Sequence, residues 1–317
     1  MWAIIEQIFP YAIAYTIPLL IVALGGLFCE RSGIVNIGLE GLMIMGSFAS
    51  GITIYFLQAS FPGQTWTIFV GLLVALIVGA LFSLLHAFAS INLQADQTIS
   101  GTAINLIAVA LTVFLARNIT GSGNIVLRTT LAKKNITILK DIPVIGALFF
   151  TNTYSTTWIV LAILIVFTFL LYKTSFGLRL RACGEHPHAA DAAGVNVGRM
   201  RYIGVLLSGA FAGLGGGIFL VTFSGEFNGS VSGFGFLALA ALIFGQWKPL
   251  GILGSTLFFG FASTISNVSQ VIPELATIPP VYLKIFPYIV TLIALVIFSK
   301  SSQAPKAAGE TFDPGKR

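Results

Sequence analysis

Few residues in this 317-residue chain could do chemistry, and their spacing suits holding and switching more than bond-making. Glu30, Arg31, Asn36 and Glu40 fall within ERSGIVNIGLEG, between two apolar runs. Asn36 and Glu40 are four apart and share a face if the stretch is helical. A lone carboxylate at mid-bilayer costs about 2.5–3.5 kcal/mol on insertion scales, so Glu40 must be paired or line water. Arg31 is the nearest cation to pair it. The plain reading is an interfacial turn stitched by Glu30, Arg31 and Glu40; the functional reading is a gate or an element of a substrate path. Asp96, Gln97 and Asn105 form a second group. Asp96 suits a helix N-terminus, where the dipole favours an acid, while Asn105, deeper, is expected to line a path. Glu226 and Asn228 in SGEFNGSVSG mark an external turn where a partner or substrate could land. Gln246-Trp247-Lys248-Pro249 marks a membrane interface, with Trp247 as a belt residue.

Enzymatic chemistry finds no support. His86 is isolated in an apolar run, and His186 and His188 lack a third ligand, so no metal site is expected. Cys29 and Cys183 are too few for a disulfide framework and have no zinc-ligand spacing. No G-x-x-x-x-G-K-[ST] occurs, so any ATP must be hydrolysed by another protein. No Ser/His/Asp or Cys/His arrangement offers a catalytic residue.

The elements that must position these residues are membrane spans. The chain is 56% hydrophobic and 9% charged, with mean hydropathy +0.94; a soluble domain has about a quarter of its residues charged. The net charge of +6 comes from Lys and Arg in loops and tail, a juxtamembrane pattern and not a nucleic-acid footprint. No Lys or Arg precedes Arg31, so the first run lacks the basic region of a signal peptide and reads as a retained span. Long apolar runs fall at 10–28, 38–58, 66–90, 99–116, 157–172, 203–223, 249–268 and 281–298. The run 234–246 is short enough to be broken or tilted, and IPVIGALFF at 142–150 is shorter still. The expected fold is all-α: a polytopic transmembrane helical bundle over 1–298, with about eight full spans plus one or two short segments. A polar cytoplasmic tail occupies 299–317.

The largest polar island is 173–202, where Arg179, Arg181, Arg199 and Arg201 flank an alanine-rich segment from Pro187 to Gly194. Pro at the first helical position and Gly past the end are start and stop signals, so a short helix is predicted in a cytoplasmic loop. Placing island and tail inside requires an even number of crossings between them, and the runs at 203–223, 234–246, 249–268 and 281–298 supply four. Loop 117–156 and the N-terminus then lie outside. Arg117, Arg128, Lys133, Lys134 and Lys140 in that external loop run against the positive-inside tendency. Gly209, Gly213 and Gly217 are spaced to share one helix face. Small residues let transmembrane helices approach closely, which makes this a packing face or a moving interface.

Four stretches also resemble a family: ERSGIVNIGLEGLMIMGSF, ADQTISGTAINLIAVALTVFLA, GLRLRACGEHPHAADAAGVNVGRMRYIGVLLSGAFAGLGGGIFLV and GFGFLALAALIFGQWKPLGILGSTLFFG. They are similar, in order, to the permeases of bacterial ABC importers in the ribose and branched-chain amino-acid branch. The NIGLEG form is most similar to the shorter permease of nucleoside importers that use a basic-membrane-protein type lipoprotein. The resemblance implies a subunit in the bacterial cytoplasmic membrane that pairs with a second permease as a heterodimer. It also implies an ATP-binding protein carrying ATP and Mg, and an extracytoplasmic substrate-binding lipoprotein. Gly184, Glu185, Pro187, Ala189, Ala190 and Gly194 match the coupling helix that sits in a groove of the ATPase. His186 stands where the family commonly has Asn, which weakens the expected helix cap. Compared with the ribose permeases, the chain lacks a first helix. The alternatives are a simple-sugar or branched-chain amino-acid importer, or a stand-alone ion-coupled transporter, which would need more intramembrane ionisable residues than Glu40.

Overall fold

A computed structural model describes residues 2–136, 142–144, 146–268, parts of 279–293, 303–313 and 315. Its helices are α1 (Trp2–Arg31), α2 (Leu39–Ser60), α3 (Trp66–Ala87), α4 (Gln97–Thr120), α5 (Ser155–Lys173), α6 (Ser175–Glu185), α7 (Pro187–Ala192), α8 (Val197–Phe219), α9 (Phe234–Phe244) and α10 (Pro249–Val268). Single π-helical turns extend α3 through Asn92 and α8 through Ser224, and a third covers Gly146–Phe150 inside the short apolar run 142–150. Seven of the described helices are long and apolar enough to cross a membrane. The eighth expected span, 281–298, lies largely outside the described residues. At 1.5 Å per residue the 11 residues of α9 reach about 16 Å, half of a roughly 30 Å hydrocarbon core.

The expectation of an all-α chain needs one small correction. β1 (Ile125–Val126) and β2 (Glu226–Phe227) pair antiparallel, Ile125 opposite Phe227. Unpaired backbone there would be costly, and the two loops satisfy each other.

The core is built around α8. Gly209, Gly213 and Gly217 turn one face to α3, where added Cβ atoms would strike Ser83, Ala75 and Leu72 respectively. The neighbouring Gly215 and Gly216 face Val22 of α1 and Met43 of α2, and a Cβ on Gly46 of α2 would overlap the Gly213 backbone. Lipid offers apolar helices no drive to associate, so backbone approach of this kind supplies the packing energy. α10 lies against α1, where Gly260 meets Thr16 and Ala12.

Two ends result. At one end Arg31, the α6–α7 island, the α9–α10 turn and residues 303–313 meet. At the other, Gln58 binds the backbone of Arg128 and Thr129, and Leu127 and Leu131 bond to Gly225 and Val221. Lys133 at this end sits over the Tyr11 ring, 3.5 Å from its centroid.

Candidate functional site

Two polar regions carry the candidate residues: the break between α1 and α2, and the island holding α7.

The break, residues 32–38, is irregular backbone enclosed by helices, which is tolerated at membrane depth only where protein satisfies it. α1 ends on Gly33, whose φ of +98° is a left-handed C-cap that favours glycine, and the Gly33 N–H donates to the Glu30 carbonyl at 2.9 Å. Side chains from three other helices bind residues 35–38. The Val35 N–H donates to the Gln97 Oε1 at 2.7 Å. The Val35 carbonyl lies 3.1 Å from His86 Nε2, and His86 Nδ1 lies 2.9 Å from Ser100 Oγ. A carbonyl can only accept, so Nε2 carries the proton and Nδ1 accepts from the serine. Asn36 accepts from the Gly38 N–H and donates to Ser208 Oγ, both at 3.0 Å. Asn105 grips the chain twice, donating to the Ile37 carbonyl at 3.1 Å and accepting from the Gly41 N–H at 2.7 Å.

Glu40 closes this frame. Its two oxygens accept from the N–H groups of Gly233 and Gly235, at 2.9 and 2.6 Å. Those are orphan donors at the start of α9, where a carboxylate also complements the helix dipole. Two expectations are corrected here. Asn36 and Glu40 do not share a helix face, because the helix begins at Leu39. Nor does Arg31 pair with Glu40: Arg31 Nη2 donates to the Trp247 carbonyl at 2.8 Å, and Nη1 lies 3.4 Å from Glu185 Oε1. The acid is satisfied by backbone donors 193 and 195 residues away, which local spacing cannot show. Trp247 is likewise no belt residue. It is 6% exposed, and its indole N–H donates to Glu30. Gln246 and Trp247 both hold φ near +50° in the tight turn before α10.

Other polar positions take local roles. Asp96 caps α4, accepting from Thr98 and Ile99 N–H at 2.8 and 2.9 Å. Asn228 accepts from the Ser230 N–H in a turn, and Glu226 lies in β2.

In the island, α6 packs back under α5 and α7 comes next, with Pro187 at its first turn. His186 does cap α7: its Nδ1 accepts from the Ala189 N–H at 3.1 Å, so the ring nitrogen replaces an asparagine oxygen. Asn196 caps α8 in the same way. The six matched residues divide. Glu185, Ala189 and Gly194 are exposed; Gly184, Pro187 and Ala190 are buried. Gly184 permits contact with the Arg31 carbonyl, and Ala190 packs with Cys183 and Val197. Burial pushes the Cys183 thiol up to about 11. Among the described residues no group of three His, Cys, Asp or Glu could hold a metal ion.

Sequence reasoning missed His86, Gln97 and Trp247 as framing residues. The available signal was the general one that a polar residue in an apolar helix needs a partner.

A multi-pass helical membrane protein with an enclosed chain break and a short helix presented beyond the bundle is thereby defined. The chain belongs to the family described as branched-chain amino acid transport system / permease component, whose model matches residues 8–295. It is 47% identical to the guanosine ABC transporter permease protein NupQ of Bacillus subtilis, over 99% of this chain and 98% of that protein. It is 42% identical to the nucleoside ABC transporter permease protein NupC of Lactococcus lactis, over 95% of each. A second guanosine permease of Bacillus subtilis, NupP, is 25% identical over 81% of this chain and 70% of its own length. No solved structure matches the chain.

Proposed function

We propose that this chain is one of two permease subunits of an ATP-driven importer of nucleosides in a bacterial cytoplasmic membrane. The observation that carries the cargo is the near-full-length identity of 47% and 42% to permeases named for guanosine and nucleosides. A second, different permease as partner is supported by the two guanosine permeases of Bacillus subtilis, both of which this chain resembles. ATP and Mg would be held by an ATP-binding protein, and cargo would be delivered by an extracytoplasmic lipoprotein.

In this reading α7 is the coupling helix and the end bearing Arg31, the island and the tail is cytoplasmic. Ala189, with His188 and Asp191, forms its exposed face; small residues there allow close docking. A push on α7 reaches α1 through the contact of Gly184 with the Arg31 carbonyl and the ion pair of Glu185 with Arg31, and reaches α8 through Ala190 and Val197. The framed break at 32–38, the start of α2 and the half-length α9 would then switch which side of the pathway is open, with Asn36, Glu40 and Asn105 as the frame of that gate. The glycine face of α8 would be the surface along which helices shift.

The importer, reconstituted with its partners, should take up labelled guanosine, and uptake should be blocked by other nucleosides but not by ribose or leucine. Uptake of labelled ribose or leucine, with no guanosine uptake, would replace the nucleoside reading with a sugar or amino-acid one.

A further inference from the structure

The polar tail lies across the end of the bundle that carries the island. The Gln303 N–H donates to the side-chain oxygen of Gln246 at 3.2 Å, tying the tail to the α9–α10 turn. The Ala307 N–H donates to the Gly184 carbonyl at 2.9 Å and the Gly309 N–H to the Gly33 carbonyl at 3.1 Å. Arg201 Nη1 of α8 donates to the Glu310 carbonyl at 3.0 Å. The Phe312 ring lies 5.1 Å from the His188 ring on α7 and 5.9 Å from the Arg201 guanidinium.

Two features show that these contacts are built in. The apolar cluster of Cys183, Ala190 and Val197 draws its other described members from residues 182–200, except for Phe312. Arg201 is 1% exposed, and its Nε and Nη2 have no partner among the described residues. The Glu310 carbonyl is the hydrogen-bond partner of this guanidinium among the described residues, so the tail satisfies a cation that it also helps to bury. The helix α7 itself is six residues long and buries only Pro187 and Ala190, so its own packing holds it weakly.

We propose that residues 303–313 are a strap that fixes α7 to α8 and to the α1–α2 break, with Phe312 as its positioning residue. Force applied to α7 is then delivered to the transmembrane helices and not lost in bending of the island. The strap stays attached through the transport cycle. The proposal rests on reading α7 as the coupling helix.

The test uses the assembled importer in proteoliposomes, with guanosine uptake and ATP hydrolysis measured on the same vesicles. Phe312→Ala should lower uptake per ATP about fivefold while the ATP-binding protein still copurifies, and Phe312→Tyr, which keeps the ring, should restore the ratio. An unchanged ratio in Phe312→Ala overturns the strap. So does loss of the ATP-binding protein, which would make the tail a docking surface. A measurement independent of cargo is alkylation of Cys183 by a maleimide at pH 9, which Phe312→Ala should accelerate about tenfold; unchanged protection counts against the strap. A disulfide lock between His188→Cys and Phe312→Cys, with Cys29→Ala and Cys183→Ala, should raise uptake per ATP on oxidation above that of the same reduced variant, because the covalent link replaces the lost ring contact. Loss of uptake reversed by reductant would mean the tail must leave, and overturns the proposal. Ala189→Arg separates the two readings. If it leaves uptake intact, the coupling-helix reading falls; if it abolishes uptake while Phe312→Ala does nothing, only the strap falls.

Discussion

The break at 32–38, with Glu40 just beyond it, and the island at 173–202 use the same small vocabulary of Gly, Asn and an acid, to opposite ends. In the break, Asn36, Glu40, Gln97 and Asn105 all point at backbone groups that lack partners of their own. In the island, His186 and Asn196 satisfy only their own local helix starts, and Ala189, Asp191 and Gly194 are left facing outward. Polar groups enclosed by helices hold a shape, whereas polar groups with free neighbours present one. The difference arises because a buried unpaired N–H or C=O costs about 1–3 kcal/mol, while an exposed one is satisfied by water.

The largest effect that would break this contrast is expected at Gly41. A Cβ there would lie 2.7 Å from Asn105 Cα and 2.8 Å from the Ile104 carbonyl, both backbone atoms that cannot swing aside. Gly41→Val should therefore prevent folding, read as loss of the monodisperse peak in detergent size-exclusion chromatography. Ala189→Arg in the island should leave that peak intact and abolish uptake. Normal behaviour of Gly41→Val would show that the break is not a tight frame.

Next comes the pair Ala189 and Ala190, which face opposite ways. Ala190→Arg should lower the thermal midpoint of the solubilised complex by several degrees, since a long cation would be forced into the cluster with Cys183 and Val197. Ala189→Arg should leave the midpoint unchanged. Equal midpoints would mean that α7 is not seated as described.

Glu40→Gln tests the frame directly. An amide keeps one acceptor oxygen but turns its NH2 on the second backbone N–H, so a cost of about 1–3 kcal/mol is expected. Uptake and thermal midpoint should fall together. A fall in uptake with an unchanged midpoint would make Glu40 a gate in its own right and not the anchor of α9.

Smaller effects are expected at the thiols. With the thiol of Cys183 pushed up to about 11, its maleimide reaction should rise about tenfold per pH unit from about pH 7 to 10, because the thiolate is the nucleophile. A cysteine placed by Ala192→Cys on the exposed side should level off above about pH 8.5, the ordinary thiol value. Matching profiles would erase the distinction between the two faces of the island. In intact cells, Ser122→Cys should react with an impermeant thiol reagent added outside, and Ala192→Cys should not. The reverse would show that the charges from Arg117 to Lys134 are the better guide to sidedness.

Much of the scaffold was legible in the chain. The runs at 38–58, 66–90 and 249–268 anticipate α2, α3 and α10 to within a few residues at each end, and Pro187 with Gly194 brackets α7. Asp96 was legible as a cap. Less legible were partners: Arg31 looked close to Glu40 in sequence and binds Glu185 and Trp247 instead.

The sequence alone determined what depends on neighbours along the chain: which segments are apolar enough to cross a membrane, where helices start and stop, and that residues 173–202 form a polar island. Insertion and capping are local, decided within some 20 residues. Only the tertiary structure decided that Glu40 anchors α9, that Ala190 turns inward while Ala189 turns out, and that Phe312 closes over the island from the far end of the chain. Such choices arise from how α8 lets α1, α2 and α3 approach, because the partner of a buried polar group is whichever backbone the packing of distant helices leaves within about 3 Å.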